Sequence, residues 1–226
     1  MTLLRTMALT KTVASGDAPL TILDDVTFEV ARGDTVAIVG ASGSGKTTLL
    51  GLLAGLDLPT SGDVWLDGEH VTSLDEDARA ALRRRAVGFV FQSFQLLPAM
   101  TALENAMLPL ELAGSRDARA IAQDWLARVG LAHRMTHYPR QLSGGEQQRV
   151  AIARAFASDP MLLFADEPSG NLDQATGAEV AELMFRLNRE HGTTLVLVTH
   201  DTMLASRCTR RLSLAAGRLV ADERVS

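Results

Sequence analysis

Apolar and polar residues alternate along the first third of the chain with the two-residue period of a β-strand. The alternation is clearest in residues 20–30, 34–39 and 64–66, and the last run ends at Asp67-Gly68, a dipeptide typical of tight turns between strands. These runs predict a β-rich beginning.

Farther along the chain, the spacing of the apolar residues becomes helical. A short helical pattern covers residues 75–86, and a longer one covers 93–157, with 123–129 and 147–157 as its clearest parts. Prolines within the longer pattern are interpreted as breaks between helices: Pro98, Pro109 and Pro139. The pattern therefore predicts an inserted helical lobe.

After the helical lobe, strand and helix patterns alternate. Residues 161–165 and 195–199 have the continuous apolar character of buried strands, and the amphipathic residues 175–190 lie between them. This order is typical of a parallel sheet covered by helices. We therefore expect an α/β fold.

The composition is that of a folded protein without a nucleic-acid partner. Hydrophobic residues make up 46% of the chain and the formal net charge is -5, whereas nucleic-acid-binding domains normally present a basic face. Arg83, Arg84 and Arg85 form the one basic cluster, and a solvated helix face explains it.

The expected compartment is the cytoplasm. Cys208 is the single cysteine and cannot form an internal disulfide, which favours a reducing compartment. The chain begins without an apolar stretch of signal-peptide length, and its longest apolar run, residues 49–56, is far shorter than the ~20 residues that span a bilayer. We therefore expect no direct membrane insertion, so any role at a membrane would depend on a partner.

The segment GASGSGKTT lies between a predicted strand and a predicted helix. Gly40, Gly43 and Gly45 allow backbone N–H groups to approach phosphate oxygens, since no side chain intervenes. Lys46 supplies a positive charge for the outer phosphates and Thr47 a hydroxyl for Mg²⁺. The alternative is a glycine-rich turn with an incidental lysine, but the order of strand, loop and helix favours a phosphate-binding loop. Further residues of the loop complete the predicted nucleotide-binding set: Ser42, Ser44 and Thr48.

Two acidic residues follow the predicted strand at residues 161–165. Asp166 and Glu167 stand at the carboxyl end of that strand, where ligand sites of parallel sheets form. Asp166 is suited to holding Mg²⁺, and Glu167 to orienting or deprotonating an attacking water. A solvated turn is the alternative, which the upstream phosphate loop makes less attractive.

The segment LSGGEQQR opens another predicted helix. Ser143 and Glu146 have the spacing of a capping box, which is a structural explanation for those two residues. It does not explain Gly144 and Gly145, which cost helix stability and leave N–H groups suited to an anion.

Together, LSGGEQQR, GASGSGKT and LLFADEP resemble the signature set of the ABC ATPases. The resemblance covers roughly residues 20–219 and extends to three further elements. Gln92 in GFVFQSF is similar to the Q-loop, Asn171 and Asp173 in SGNLD to the D-loop, and His200 in LVTHD to the switch histidine. Without that context, a lone histidine after a strand is usually structural. The segments AGLD, FVFQSFQLLP, TALEN and FADEPSGNLD resemble the MacB, LolD and FtsE group, and NREHGTTLVLVTHD is most similar to YbbA-type members.

The resemblance implies a single ABC ATPase nucleotide-binding domain over residues 1–226. In that fold, residues 1–92 and 158–226 form a parallel-sheet P-loop core with an antiparallel β subdomain. Residues 93–157 form an inserted α-helical subdomain that carries the signature motif.

The resemblance also implies ATP hydrolysis with Mg²⁺ by a homodimer. Ser143, Gly144, Gly145 and Glu146 would face the ATP held by the partner subunit, and Ser143 and Gly145 would contact the γ-phosphate held by the partner's Lys46. Two ATP molecules would thus join two chains.

In the same family pattern, Gln92 would contact Mg²⁺ or the water and His200 the γ-phosphate, while the D-loop would join the two sites. The dimer would lie on the inner face of the cell membrane and drive a separate permease. Its task would be lipophilic cargo or mechanical work, with FtsE-like cell division or LolD-like lipoprotein release as the alternative.

One position departs from the family pattern. Members commonly place an aromatic residue early in the chain to stack on adenine, whereas this chain has Val13 there and no aromatic residue before Phe28. The loss of a stacking partner removes about 1 kcal/mol from base binding, so selectivity for ATP over GTP is left open.

Two other classes of function remain for comparison. DNA-repair ATPases of the family carry long insertions that 226 residues cannot hold. A nonhydrolytic nucleotide-binding regulator is opposed by the presence of Glu167 and His200.

Overall fold

An antiparallel sheet forms from the first strands because apolar residues occupy every second position. The computed structural model describes residues 1–15 and 18–225. The strands of this sheet are Thr2–Ser15 (β1), Ala18–Ala31 (β2), Ser61–Leu66 (β4) and Glu69–His70 (β5), in the order β2-β1-β4-β5. Val26, Phe28 and Val30 of β2 are buried and the residues between them are exposed, so one face of the sheet is apolar.

The predicted strands and the turn are confirmed in this sheet. Asp67 and Gly68 join β4 to β5 with φ values of 52° and 80°, and Leu66 pairs with Glu69. Strand β1 is a strand that the alternation did not predict.

Contacts divide the described chain into two compact units, Met1–Arg83 with Thr194–Ser226, and Arg84–Thr193. Beyond the antiparallel sheet, the first unit contains four strands in the order β10-β9-β3-β8. These strands are Thr35–Val39 (β3), Thr194–Val198 (β8), Arg210–Ala215 (β9) and Arg218–Arg224 (β10). Its helices are Lys46–Leu53 (α1), Glu76–Ala86 (α2, which ends in the second unit) and Thr202–Ala205 (α7), with a 3-10 turn at Val71–Ser73.

Strand β3 is the centre of that group of strands. It pairs in parallel with β8 and with β9, and its residues Val36, Ala37 and Ile38 are fully buried. Strand β10 pairs antiparallel with β9 at the outside, where Arg210 pairs with Asp222 at 2.6 Å and Arg211 with Glu223 at 2.5 Å.

The second unit combines a parallel strand pair with four helices. The strands are Val87–Phe91 (β6) and Leu162–Asp166 (β7). The helices are Ala102–Leu112 (α3), Ala118–Arg128 (α4), Gly144–Ala157 (α5) and Gln174–His191 (α6), with 3-10 turns at Ala132–Arg134 and Pro139–Gln141. The division into a core and a helical subdomain at residues 93 and 157 stays a prediction.

In the helical region, the break at Pro98 is confirmed and the break at Pro109 was wrong. Residues 93–101 form a loop, and the first helix begins at Ala102 behind a capping box of Thr101 and Glu104. Pro109 does not break a helix but lies inside α3. Burial of Ala106 and Leu110 on the helices beside α3 offsets the roughly 3 kcal/mol that an internal proline costs.

Helix lengths also bear on the membrane. Across the described ranges 1–15 and 18–225, no helix has both the length and the apolar character needed to cross a bilayer.

Candidate functional site

The glycine loop after β3 is held open for a ligand by close backbone packing in the first unit. A β-carbon on Gly40 would lie 2.2 Å from the carbonyl oxygen of Leu214 on β9, so no other residue fits. Gly45 has φ 100° and stands at the amino end of α1, a conformation that side chains other than glycine rarely adopt. The loop and helix predicted from GASGSGKTT are therefore present.

Lys46 lies inside this loop. Its side chain is 9% exposed, and its Nζ donates hydrogen bonds to the carbonyl oxygens of Gly40 at 2.8 Å and Ala41 at 2.9 Å. An ammonium group has three donors, so one remains for a ligand. The loop therefore presents a fixed positive charge.

The amino end of α1 provides further donors. In the described part of the chain, no side chain caps α1, and the buried Ser44 Oγ has no hydrogen-bond partner. An uncapped helix amino end attracts anions, because its first N–H groups and the helix dipole both favour negative charge. These features fit a nucleotide's phosphates. Ser42, Gly43 and Thr47 are exposed in the same stretch and Thr48 is half-buried.

His200 lies at the same edge of the sheet as the glycine loop. Ile38 of β3 is aligned with Val198 of the parallel strand β8, so the residues that follow both strands emerge together. A cavity of about 290 Å³ is lined by both Gly40 and His200. The structure thus brings the predicted switch histidine to the phosphate loop.

Val13 lies on β1, where it pairs with Leu20 of β2. A β-carbon on Gly45 would lie 2.8 Å from Leu23 Cδ2, and Leu23 pairs with Lys11, two residues before Val13. The strand pair that carries Val13 therefore passes the amino end of α1, while contact with a base stays a prediction.

In the second unit, the predicted acids follow the parallel pair of β6 and β7. Phe91 is aligned with Asp166, so Gln92 and Glu167 leave the two strands at the same edge. Asp166 and Glu167 are both half-buried. Glu167 has φ 45°, and this left-handed conformation costs about 1–2 kcal/mol for a residue with a side chain. Strain of this kind is concentrated at functional sites.

The Q-loop and D-loop residues are joined by a pair of amides. Gln92 Nε2 donates to Asn171 Oδ1 at 2.9 Å, and Asn171 Nδ2 donates to the Gln92 carbonyl at 3.1 Å. Asp173 caps α6 by accepting from the N–H of Thr176 at 3.0 Å. Hydrogen bonds from Thr176, its side chain first, lower the pKa of Asp173. The carboxylate of Asp173 therefore has a structural task in the isolated chain.

The capping box predicted in LSGGEQQR is confirmed. Ser143 Oγ accepts from the Glu146 N–H at 3.2 Å, and Glu146 Oε2 accepts from the Ser143 N–H at 2.8 Å. Arg134 Nε also donates to Glu146, at 3.0 Å. The backbone hydrogen bond from Ser143 is the main reason that the pKa of Glu146 is lowered.

The two glycines of this motif are required for different reasons. A β-carbon on Gly145 would lie 2.4 Å from Thr176 Cγ2, whereas one on Gly144 would lie 3.1 Å from Leu172 Cδ2. Packing against α6 therefore explains Gly145. At Gly144 the atoms nearest to the added β-carbon are the ends of side chains, so a small side chain there would require Leu172 to shift by a few tenths of an ångström.

Three polar residues near this motif were not predicted from the sequence: Arg134, Gln148 and Arg154. For Gln148 a signal was present, because it shares a helix face with Gly145 and Ile152 and is as deeply buried as Ile152. A polar residue in an apolar stripe calls for a hydrogen-bonding explanation.

A phosphate loop after a parallel strand, a strained acid after another and a capped glycine motif define a nucleotide-hydrolysing α/β protein. Residues 23–170 match the family described as ABC transporter. The chain belongs to this family, as an ATP-binding subunit with ATPase activity.

Individual relatives indicate which members of the ABC transporter family this chain is similar to. The chain is 56% identical over 213 residues to the uncharacterized ABC transporter ATP-binding protein YbbA of Escherichia coli K12, covering 93% of each chain. It is 53% identical over 222 residues to the lipoprotein-releasing system ATP-binding protein LolD of Geobacter metallireducens, covering 97% of this chain and 99% of the relative.

A solved structure matches the fold over nearly its whole length. The dimeric structure of the ATP-binding cassette MJ0796, in a post-hydrolysis state bound to ADP and Pi, superposes with a TM-score of 0.92. It is 39% identical and covers 99% of each chain. The resemblance to the MacB, LolD and FtsE group and the expected ABC ATPase fold are confirmed.

Proposed function

We propose that the chain binds ATP with Mg²⁺, hydrolyses it as a homodimer and drives a separate membrane permease. The observation that carries the nucleotide site is the loop around Lys46, where, among the described residues, one ammonium donor of Lys46 is left over, no side chain caps the helix and the Ser44 hydroxyl is unpaired. All three supply positive charge or hydrogen-bond donors, which is what a polyphosphate requires. The loop residues Ser42 to Thr48 would hold the phosphates, and Val13 would lie beside the base.

A magnesium ion would neutralise phosphate charge during the transfer. Thr47, Gln92 and Asp166 would supply the oxygen ligands that Mg²⁺ prefers, since one or two such groups with phosphates and water satisfy its coordination. Their chemistry fits the ion, since an exposed hydroxyl and a half-buried carboxylate both retain access to water.

Hydrolysis would depend on Glu167, which orients or deprotonates the attacking water. The left-handed backbone at Glu167 turns the chain sharply after β7, and it sets the direction in which the carboxylate leaves the strand. His200 would contact the γ-phosphate, and Gln92 would help to hold the water.

The homodimer would use Ser143, Gly144, Gly145 and Glu146 against the nucleotide held by the partner subunit. Support comes from Gly144, which packing constrains less tightly than Gly145, and from the dimeric state of the related cassette MJ0796. Asn171 and Asp173 would connect the two sites. One pair of surfaces used twice gives two equivalent sites in a two-fold dimer.

The permease partner would place the dimer at the cytoplasmic face of the inner membrane, with no nucleic acid involved. The names of the relatives YbbA and LolD, both ATP-binding proteins of transport or release systems, support this arrangement. The cargo would be lipophilic, or the work mechanical. Lipoprotein release is a second candidate, favoured by the 53% identity to LolD.

The test is the substitution Glu167→Gln, which keeps the shape of the side chain but removes the base. We expect ATP binding to persist, turnover to fall about 10²–10⁴-fold, and an ATP-bound dimer to accumulate. Phosphate release and light scattering measure the two effects. Glu179→Gln is the matched control, because Glu179 is an exposed acid on α6. Near-normal hydrolysis by Glu167→Gln would refute the proposed role.

A further inference from the structure

The side-chain amide of Gln148 on α5 contacts the backbone at the end of both strands of the parallel pair, β6 and β7. Gln148 is fully buried. Its Nε2 donates to the carbonyl oxygen of Pro168 at 2.6 Å and to that of Phe91 at 3.3 Å. A single side chain therefore bridges two loops that are distant in sequence.

The two carbonyls belong to the immediate neighbours of two proposed catalytic residues. Phe91 precedes Gln92, and Pro168 follows Glu167. Because Phe91 is aligned with Asp166, the bridge crosses the strand ends at the point where both loops begin. The amide of Gln148 thus ties the positions of Gln92 and Glu167 to each other.

The orientation of this amide follows from its surroundings. Two carbonyl oxygens face it, so the nitrogen must point toward them and the oxygen away. Within the described residues, Gln148 Oε1 is buried without a hydrogen-bond partner. An unsatisfied buried acceptor costs about 1–3 kcal/mol. A glutamine at this position is therefore poorly explained by stability alone.

The same helix also holds the loop on the other side of Gln92. Arg154 donates to the carbonyl oxygens of Phe94 at 3.0 Å and Gln95 at 2.6 Å. Phe94 and Gln95 both have left-handed backbones, with φ values of 60° and 48°, so their conformation needs outside support. Burial lowers the pKa of the Arg154 guanidinium.

We propose that Gln148 is a positioning residue that sets the spacing between Gln92 and Glu167, and that Arg154 fixes the far side of the Gln92 loop. This inference rests on the proposed roles of Gln92 and Glu167. Because Gln148 is fully buried, we expect its effect in the rate of hydrolysis rather than in ATP affinity.

The first test is Gln148→Met, which has a similar length but no donor and no orphaned acceptor. We expect kcat for ATP to fall at least about tenfold, within the ~100-fold that an ångström of misplacement costs. KM should change by less than about twofold, because the ground-state contacts to nucleotide are kept.

The matched control is Asn188→Leu. Asn188 is 3% exposed and its Nδ2 donates to the Thr193 carbonyl at 2.5 Å, so it is another buried amide of the same unit, bonded to a carbonyl outside the proposed catalytic loops. This variant should lose thermal stability and keep its kcat. If Asn188→Leu loses as much kcat as Gln148→Met, general destabilisation explains the loss and the inference is wrong.

A second variant covers the case in which Gln148→Met does not fold. Arg154→Lys keeps the charge, but a lysine ammonium lacks the planar fork that reaches two carbonyls. We expect a lower kcat with little change in KM, and a wild-type kcat would overturn the inference.

Glu167→Gln separates this inference from the proposed function. An inactive Glu167→Gln beside a fully active Gln148→Met refutes the positioning role only. An active Glu167→Gln refutes the proposed function itself.

Discussion

The amino ends of α1 and α5 carry similar glycine motifs but differ in their capping. Helix α1 begins after the left-handed Gly45, and no described side chain caps it. Helix α5 begins after Ser143, with a complete capping box to Glu146. The first end therefore has no side-chain cap among the described residues, while the second satisfies part of its own donors.

This difference separates two modes of anion binding. A ligand anion at α1 would accept from a helix end that no described side chain caps, so its binding would stabilise the loop that holds it. Helix α5 is already stabilised by about 1 kcal/mol through its cap, so it forms without nucleotide. It can therefore offer a preformed surface to a nucleotide bound elsewhere.

The largest expected effect comes from a substitution at the amino end of α5, which tests whether this end docks a partner's nucleotide. Gly144→Asp places a negative charge where a partner's γ-phosphate would dock, and like charges across an interface cost several kcal/mol. In the slow-hydrolysing Glu167→Gln background, the additional change should abolish the ATP-dependent dimer while each monomer still binds ATP. Light scattering measures the dimer.

Gly144→Ala is the steric control for this experiment, since a β-carbon there would lie 3.1 Å from Leu172 Cδ2 and 3.6 Å from Phe94 Cζ, both at the ends of side chains that can shift. It should still dimerise. Dimerisation of the aspartate variant would exclude docking at Gly144.

The next largest effect comes from a substitution at the amino end of α1, which tests whether this end binds the nucleotide of its own chain. Lys46→Ala removes a charged donor, and such hydrogen bonds contribute about 1.5–3 kcal/mol. The dissociation constant for ATP should rise at least about tenfold, as measured by calorimetry. Arg128→Ala, which removes a surface cation paired with Asp124, should leave affinity unchanged. Equal affinity in Lys46→Ala and the wild type would contradict the phosphate-loop assignment.

The smallest expected effect is on the stability of the chain without ligand, where the capped and the uncapped helix ends should differ. Ser143→Ala should lower the free energy of unfolding by about 1 kcal/mol, whereas Ser42→Ala in the uncapped loop should not change it. Thermal unfolding at neutral pH checks both variants.

The contribution of the capping box should also depend on pH. The folded chain lowers the pKa of Glu146, so the stabilisation is complete above the usual glutamate value of about 4.3. It is lost as the pH falls below that value through the lowered one. Glu146→Gln removes this titration, so an equal loss of stability in Glu146→Gln at neutral pH and at about pH 3 would show that the cap has no such dependence.

Local motifs were predictable, and contacts between distant segments were not. The phosphate loop, the acids after β7 and the cap at Ser143 each depend on neighbouring residues, so a short stretch of sequence specifies them. Gln148 reaches Phe91, 57 residues away, and no local pattern encodes that contact. The same holds for the amide pair of Gln92 and Asn171, which are 79 residues apart.

Strand β1 shows a second reason why an element could not be predicted from the sequence. Its register against β2 shifts at several points, including between Thr6 and Leu9, and Ala8 has φ 49°. Each bulge inserts a residue and interrupts the two-residue alternation. The buried positions therefore do not follow a constant period, although the strand itself is 14 residues long.

The ion pairs of β10 have a consequence for the behaviour of the chain at high concentration. An outermost strand presents unpaired backbone groups that can recruit another chain into a growing sheet. Here that strand carries Asp222, Glu223 and Arg224 in succession, two of them tied to arginines on β9. Charges at a sheet edge oppose intermolecular strand pairing, so β10 is protected against recruiting a strand of another chain.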